Sequence, residues 1–346
     1  MKIILGLIFL CLGISGFAQD SNHGYLYMNK TLSSQAITLA DVQTSGGGIS
    51  VSGVTNASEE RIEVYVSANN SHDKYSNDEL QKKVEAEYDL NVSVTSNKLT
   101  ATARPKKKFN NENNSLSISF RVYVPVNCGT HLNTSGGGIS INNLNGDQNF
   151  STSGGGLELK MISGHIVGRT SGGGIAVTDS KDDIDLETSG GGIDAKRCTG
   201  KIHLGTSGGS VDLTDLSGNI RANTSGGNVE GSNIQGNLEA HTSGGNIAMS
   251  SLSGSLNAST SGGNMHIQIT QLGKFIKLNN SGGNIHLEIP KDKGLNLDIH
   301  GDRIKTEGLN NFSGSVEKES ISGTLNGGGI PVDIDGGGGG ITLALK

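Results

Sequence analysis

From Thr134 to Ile289 the apolar residues alternate with polar ones in pairs that return every 18 residues. Numbered from the threonine of each Thr-Ser-Gly-Gly motif, apolar side chains fall at positions 6, 8, 11, 15 and 17. In the copy at Thr188 these are Ile193, Ala195, Cys198, Ile202 and Leu204; in the copy at Thr206 they are Val211, Leu213, Leu216, Ile220 and Ala222. A spacing of two is strand spacing, with one face inward and one outward. Each repeat therefore predicts two short strands, at about positions 5–9 and 14–18, with glycine corners between them. The motif begins at Thr134, Thr152, Thr170, Thr188, Thr206, Thr224, Thr242 and Thr260, then at Asn280 after a 20-residue step, with an early copy at Thr44.

A unit of this size cannot bury its apolar side alone, but stacked copies can. The expected fold is all-β: a parallel β-solenoid, β-helix-like, built of 18-residue two-strand rungs, with an N-terminal β-rich excursion and a C-terminal cap. The expected divisions are a signal peptide at 1–18, an N-terminal β-rich module at 19–133 with one early rung near 44–52, a regular array at 134–289, and irregular rungs with a cap at 290–346. Within the N-terminal module, strands are expected at Ile37–Val42, Ile62–Val66, Leu90–Val94, Leu99–Ala103 and Leu116–Val126, and a helix at Asn77–Tyr88. The inward threonine of each corner is expected to bond to backbone. Glycine in the Ser-Gly-Gly run and at position 13 is expected to supply positive φ and to let backbones come close. Position 5 passes from Gly to Asn along the chain (Asn228, Asn246, Asn264, Asn284), which predicts a side-chain ladder.

Composition sharpens this picture. Residues 1–18 combine Lys2, an apolar run and small residues ahead of Gln19, the layout of a secretory leader. The run is short for a membrane span, and Phe9-Leu10 before Cys11 lacks the small residue of a lipoprotein cleavage site. Loss of Lys2 with the leader takes the formal charge from −6 to −7, which disfavours nucleic acid as a partner. Export is expected, to the periplasm, the outer-membrane surface or the exterior, with no integral span in the mature chain. Cys128 and Cys198 would sit about four repeats apart, beyond disulfide reach, and are expected as free thiols.

The glycine motif invites chemical readings. A phosphate-binding loop needs Lys-Ser/Thr or a helix after the glycines, and strands follow here. Calcium solenoids carry aspartates at the turn, whereas Glu158, Asp194, Asp212 and Glu230 fall at position 7 on an outward strand face. Asp182, Asp183 and Asp185 form the densest acidic cluster, with two expected in a turn. A glycan-active enzyme would add aromatic rings, but the array holds only Phe150 and Phe275, both expected in the core. His266 and His286 should be neighbours at position 7, with His203 and His241 on the other strand, and no third ligand completes a zinc set. Arg104-Pro105-Lys106-Lys107-Lys108 reads as a solvated hairpin loop, or else as a contact for an anionic envelope polymer. No catalytic, cofactor-binding or metal-ligating residue is assigned, and no cofactor is expected.

Residues 25–346 resemble the family of bacterial envelope β-strand-repeat proteins known as "putative adhesins", a domain of unknown function. Gly46-Gly47-Gly48-Ile49-Ser50-Val51, Val122-Tyr123-Val124-Pro125, Thr134-Ser135-Gly136-Gly137-Gly138-Ile139 and Gly338-Gly339-Gly340-Ile341-Thr342-Leu343 carry the resemblance. It implies a secreted or envelope protein and supplies no catalytic residues. The expected role is a non-enzymatic surface interaction module that binds an envelope or surface polymer or protein. The alternatives are a structural periplasmic protein without external ligand and, third, a carbohydrate-active β-helix enzyme.

Overall fold

The computed structural model describes residues 24–32, 36–69, 75–107 and 115–346. The expected leader at 1–18 lies outside them, as do Gln19 and Lys108. The described residues contain one 27-stranded sheet, and no helix among them is long and apolar enough to cross a membrane.

Parallel pairing at the 18-residue step follows directly from the repeat. Ile175 lies beside Ile193, Ile193 beside Val211 and Val211 beside Val229, so each inward residue stacks on its equivalent. Positions 6, 8, 11, 15 and 17 of the copies at Thr188 and Thr206 are all buried. Where one inward residue is small, its neighbour fills the gap. A Cβ on Gly231 would strike Met249, and one on Gly168 would strike the ring of Phe150. Phe150 is buried, as expected.

The expectation of an open solenoid of separate two-strand rungs is not met. Strands Leu157–Thr170 and Val229–His241 run unbroken through the bend between the two halves of their repeats. Each therefore pairs on both faces of the molecule. On one side they are linked through Lys181–Thr188, Thr199–Thr206 and Ser217–Asn223; on the other, through Ile175–Thr178, Ile193–Lys196 and Val211–Thr214. The pairings return to their start, so these eight strands form a closed parallel barrel to which further strands are attached.

The physical reason lies at position 10. Asn143, Met161, Asp179, Arg197, Asp215, Asn233 and Ser251 all have φ between 51° and 58°. One left-handed residue turns the chain sharply, and in the longer strands pairing resumes at once. Ile162 and Ser163, for example, pair with Leu144 and Asn145 directly after Met161.

The two glycine sites of the repeat do different work. Position 13 has positive φ: +107° at Gly164, +121° at Gly200, +124° at Gly218 and +114° at Gly236. The Ser-Gly-Gly glycines are not among the positive-φ residues. Position 4 is glycine because successive corners nearly touch. A Cβ on Gly173, Gly191 or Gly209 would overlap the carbonyl of Gly155, Gly173 or Gly191 respectively.

The corner threonines point inward, and each hydroxyl donates to the position-4 carbonyl of the preceding copy. Thr152 reaches Gly137 O, Thr188 reaches Gly173 O and Thr206 reaches Gly191 O, each at 2.7 Å. In the ninth copy Asn280 takes the place of the threonine, which also accepts from the position-4 amide of its own copy. Its Nδ2 donates to Gly263 O at 2.8 Å, while its Oδ1 accepts from Gly282 and Gly283 N–H. Thr188→Val removes the hydroxyl while keeping the shape, and leaves a half-buried carbonyl without that donor. We expect a loss of about 1–2 kcal/mol in urea unfolding; an unchanged midpoint would show the hydroxyl to be idle.

The asparagine ladder is present in a different form from the one expected. The rungs run from backbone to side chain: Asn246, Asn264 and Asn284 N–H donate to the Oδ1 of Asn228, Asn246 and Asn264 at 2.8–2.9 Å. None of these asparagines has positive φ.

At the N-terminal end, Leu39–Thr44 and Ile49–Val54 pair in parallel with Gly129–Thr134 and Ile139–Asn145. Lys98–Pro105 and Leu116–Pro125 cover their other edges, also in parallel. Beyond these, Tyr88–Thr95 and Arg61–Ala68 pair antiparallel. The helix Asn77–Glu87 starts on a capping box of Ser76 and Glu79 and buries Leu80 and Val84. Of the basic run, Arg104 bonds Gln43 Oε1 at 2.7 Å and Lys106 bonds Glu85 O at 2.6 Å.

The C-terminal order differs from a simple closing strand. Gly340–Leu345 lies between Ile285–Ile289 and Arg303–Glu307, in parallel with both. The end of the chain thus occupies an inner layer, and residues preceding it in sequence form an outer one. Gly338-Gly339-Gly340 repeats the corner there, with Gly340 N–H donating to Asn284 Oδ1 at 3.0 Å.

Candidate functional site

The corners themselves have little left to offer a ligand. Position-3 amides donate to the serine carbonyl of the preceding copy: Gly172 to Ser153, Gly190 to Ser171 and Gly208 to Ser189, at 2.9–3.0 Å. Position-4 amides face their own threonine, with Gly191 N to Thr188 Oγ1 at 3.4 Å and Gly209 N to Thr206 Oγ1 at 3.3 Å. A phosphate cradle needs free converging N–H groups, and these are engaged within the fold.

On one face, position 7 brings together the residues expected there. Glu158, Ala176, Asp194, Asp212, Glu230, Ala248, His266 and His286 follow one another in register. The rings of His266 and His286 stack with centroids 4.8 Å apart and planes 5° apart. His286 Nε2 lies 3.3 Å from Glu288 Oε1. Lys196 Nζ bonds Asp194 Oδ2 at 2.7 Å.

Asp212 lies between two carboxylates. Partial burial first, then Glu230 and Asp194, push its carboxyl pKa upward, with Lys196 opposing. A raised folded-state pKa means that the fold holds this proton more tightly than the unfolded chain does. Stability then falls as pH rises from the usual carboxylate range through the raised value. Asp212→Asn should raise the thermal midpoint by about 1–2 °C at pH 7 and leave it unchanged at pH 3, where both side chains are neutral. An equal gain at both pH values would rule out charge as the cause.

The opposite face carries a denser network. Arg169 bonds Asp185 Oδ2 at 2.7 Å and Glu187 Oε2 at 3.1 Å, and His203 Nδ1 lies 2.9 Å from Asp185 Oδ1. Desolvation raises the Asp185 pKa, but the hydrogen bonds from Arg169 and His203 and their charges outweigh it, so the net shift is downward. Asp185, Glu187 and His203 have ligand atoms close enough for one cation. The Arg169 guanidinium already bridges both carboxylates, so the set is arranged as an ion-pair network.

Two of Asp182, Asp183 and Asp185 were expected in a turn, yet all three lie in the strand Lys181–Thr188. Asp182 occupies the position-13 bend with φ 84°, and its carboxylate accepts from Gly164 N–H at 3.0 Å. Asp183 lies between His165, at 3.1 Å, and Lys201, at 3.5 Å. Further along, Arg221 holds Glu239 through two bonds of 2.8 and 3.0 Å.

Two open grooves run across this face. One, of about 600 Å³, follows the threonine-serine corners beside Arg169, Glu187 and His203. The other, of about 570 Å³, passes Asp183, Lys201, Asn219, Arg221 and Asn237 and ends at Phe275. Phe275 was expected in the core and is instead 39% exposed. The signal for this was its place at position 16 of its copy, between the inward positions 15 and 17.

Both cysteines of the described residues are free and buried. Burial first, and the nearby Glu60 charge, push the Cys128 thiol up to about 12 against a backbone hydrogen bond. Cys198 is raised as well, chiefly by burial. Neither is a ready thiolate.

No protein-family model matches the chain, and no curated protein matches it. Among solved structures, one described as a "putative cell adhesion protein" from Clostridium sporogenes aligns at 12% identity over 92% of this chain and 98% of that one, with a TM-score of 0.22. So loose a superposition carries no argument about fold or role.

Proposed function

We propose that the chain is an exported, non-enzymatic interaction module of the bacterial envelope, binding a surface polymer or protein through its outward columns. One observation carries this reading. The repeated residues are consumed in building the frame, while the residues that vary from copy to copy face outward in register. A rigid sheet with variable outward columns is suited to recognition. Within the Arg169–Asp185–Glu187–His203 network, Asp185 is held ionised by Arg169 and His203, which suits an ion pair rather than a general acid.

Protease shaving of intact producing cells, read with an antibody to the full chain, tests the location this role requires. Loss of the protein from unbroken cells is the expected result. Protection until the outer membrane is permeabilised would favour a structural periplasmic protein.

A further inference from the structure

The strand Met265–Asn280 shifts register against its neighbour at three places, and the last of them changes the step from 18 to 20 residues. Gly254 lies beside Leu272, but Leu256 lies beside Ile276, so two extra residues are accommodated opposite Ser255. The bulge is pinned: Lys274 N–H donates to the Ser255 hydroxyl at 2.9 Å, and Ser255 is buried. Past the bulge Leu256 pairs with Ile276, so Phe275 stands in the outward column of Asn219 and Asn237, where its exposed ring lines the 570 Å³ groove. An exposed aromatic ring in a groove that mixes apolar lining (Ile202, Ile220, Leu238) with amides and charges is the feature to be explained.

Asn219, Asn237 and Asn257 line the same groove. Asn237 Nδ2 donates to Asn219 Oδ1 at 2.9 Å, which leaves each of the two amides with further donor and acceptor capacity. Neighbouring copies repeat at about 4.8 Å, so polar groups recur along the groove at short regular intervals. The charges largely cancel: Arg221 pairs with Glu239 at 2.8 Å and Lys201 with Asp183 at 3.5 Å. No surplus of positive charge awaits a polyanion.

We propose that this groove binds a neutral oligosaccharide, with Phe275 stacking on the apolar face of one sugar ring and the asparagine amides bonding hydroxyls of successive units. A sugar has both surfaces the groove offers a partner for, an apolar C–H face and a hydroxyl edge. The proposal rests on the interaction-module reading and names its partner class.

The test uses the purified full chain on an array of glucose, galactose, mannose and N-acetylglucosamine oligomers, with heparin fragments as the polyanionic arm. At least one neutral series should bind, more tightly with length. Phe275→Ala should weaken the best binder by about tenfold or more with an unchanged thermal midpoint, and Phe275→Tyr should keep it within about threefold. Absence of neutral binding, binding to heparin alone, or binding that survives Phe275→Ala would overturn the proposal. A chain found on the cell surface by shaving but blind to these sugars would sink the groove assignment and leave the interaction-module reading standing.

Discussion

Gly191→Ala should cost about 3 kcal/mol or more in urea unfolding, while Gly192→Ala, one residue along, should cost about 1 kcal/mol or less. Neither glycine is in a positive-φ conformation, so the contrast depends on space alone. A Cβ on Gly191 would overlap the Gly173 carbonyl and the Gly174 Cα. Both are backbone atoms of the preceding corner, which cannot retreat without opening the sheet pairings beside it. A Cβ on Gly192 would meet Ser210 O at 3.2 Å and Ser210 N at 3.8 Å, a squeeze relieved by a few tenths of an ångström. The chain records the same difference. Position 4 is glycine at 137, 155, 173, 191, 209, 227, 245, 263 and 283, whereas position 5 also accepts Ser210, Asn228, Asn246, Asn264 and Asn284. Equal costs for the two variants would refute the close-approach explanation.

Phe150→Ala is expected to cost about 3–5 kcal/mol. Its ring is buried and occupies the space that a side chain on Gly168 would take. Deletion therefore leaves a void that the neighbouring copy, having only a glycine there, cannot fill. Gly168→Ala alone overpacks the same place and should cost about 1–3 kcal/mol. Because both act on one volume, the double variant should be more stable than the sum of the single effects implies, by about 1 kcal/mol or more. Simple additivity in a double-mutant cycle would mean that the two positions do not share that space.

Much of the frame was legible because it repeats. Alternation with period two placed Ile193, Ala195, Ile202 and Leu204 inward, and the 18-residue step placed each beside its equivalent. The inward threonine and its backbone bond followed from the same alternation. The closure of the sheet did not, because it depends on the chain staying paired through the position-10 bend. That bend had a signal: Asn143, Asp179, Asp215, Asn233 and Ser251 are residues suited to tight turns. Met161 and Arg197 at the same position obscured it. The C-terminal strand order was hidden for another reason. Nothing in a local pattern tells Gly340–Leu345 to enter between Ile285–Ile289 and a strand that precedes it in the chain.

The candidate site was legible in part. The register placed Glu158, Asp194, Asp212 and Glu230 in one outward column and made His266 and His286 neighbours, and the structure brings them together. The Arg169–Asp185–Glu187–His203 network was missed because its members lie on three successive copies and on alternate residues of one face. Reading each copy alone shows only single charges. Phe275 was misplaced because an aromatic ring was read as core, although position 16 lies between the inward positions 15 and 17 and so faces outward.

The central claim is that the Thr-Ser-Gly-Gly corners build the frame and leave recognition to the outward faces. Amide hydrogen exchange on the full chain, with and without millimolar-scale calcium or inorganic phosphate, tests it most directly. The corner amides of Gly172, Gly190 and Gly208 already donate to the preceding copy. Their exchange should therefore be slow in the free protein and unchanged by either ion. Fast exchange at these glycines that slows when calcium or phosphate is added would make the corners a binding site and contradict the account.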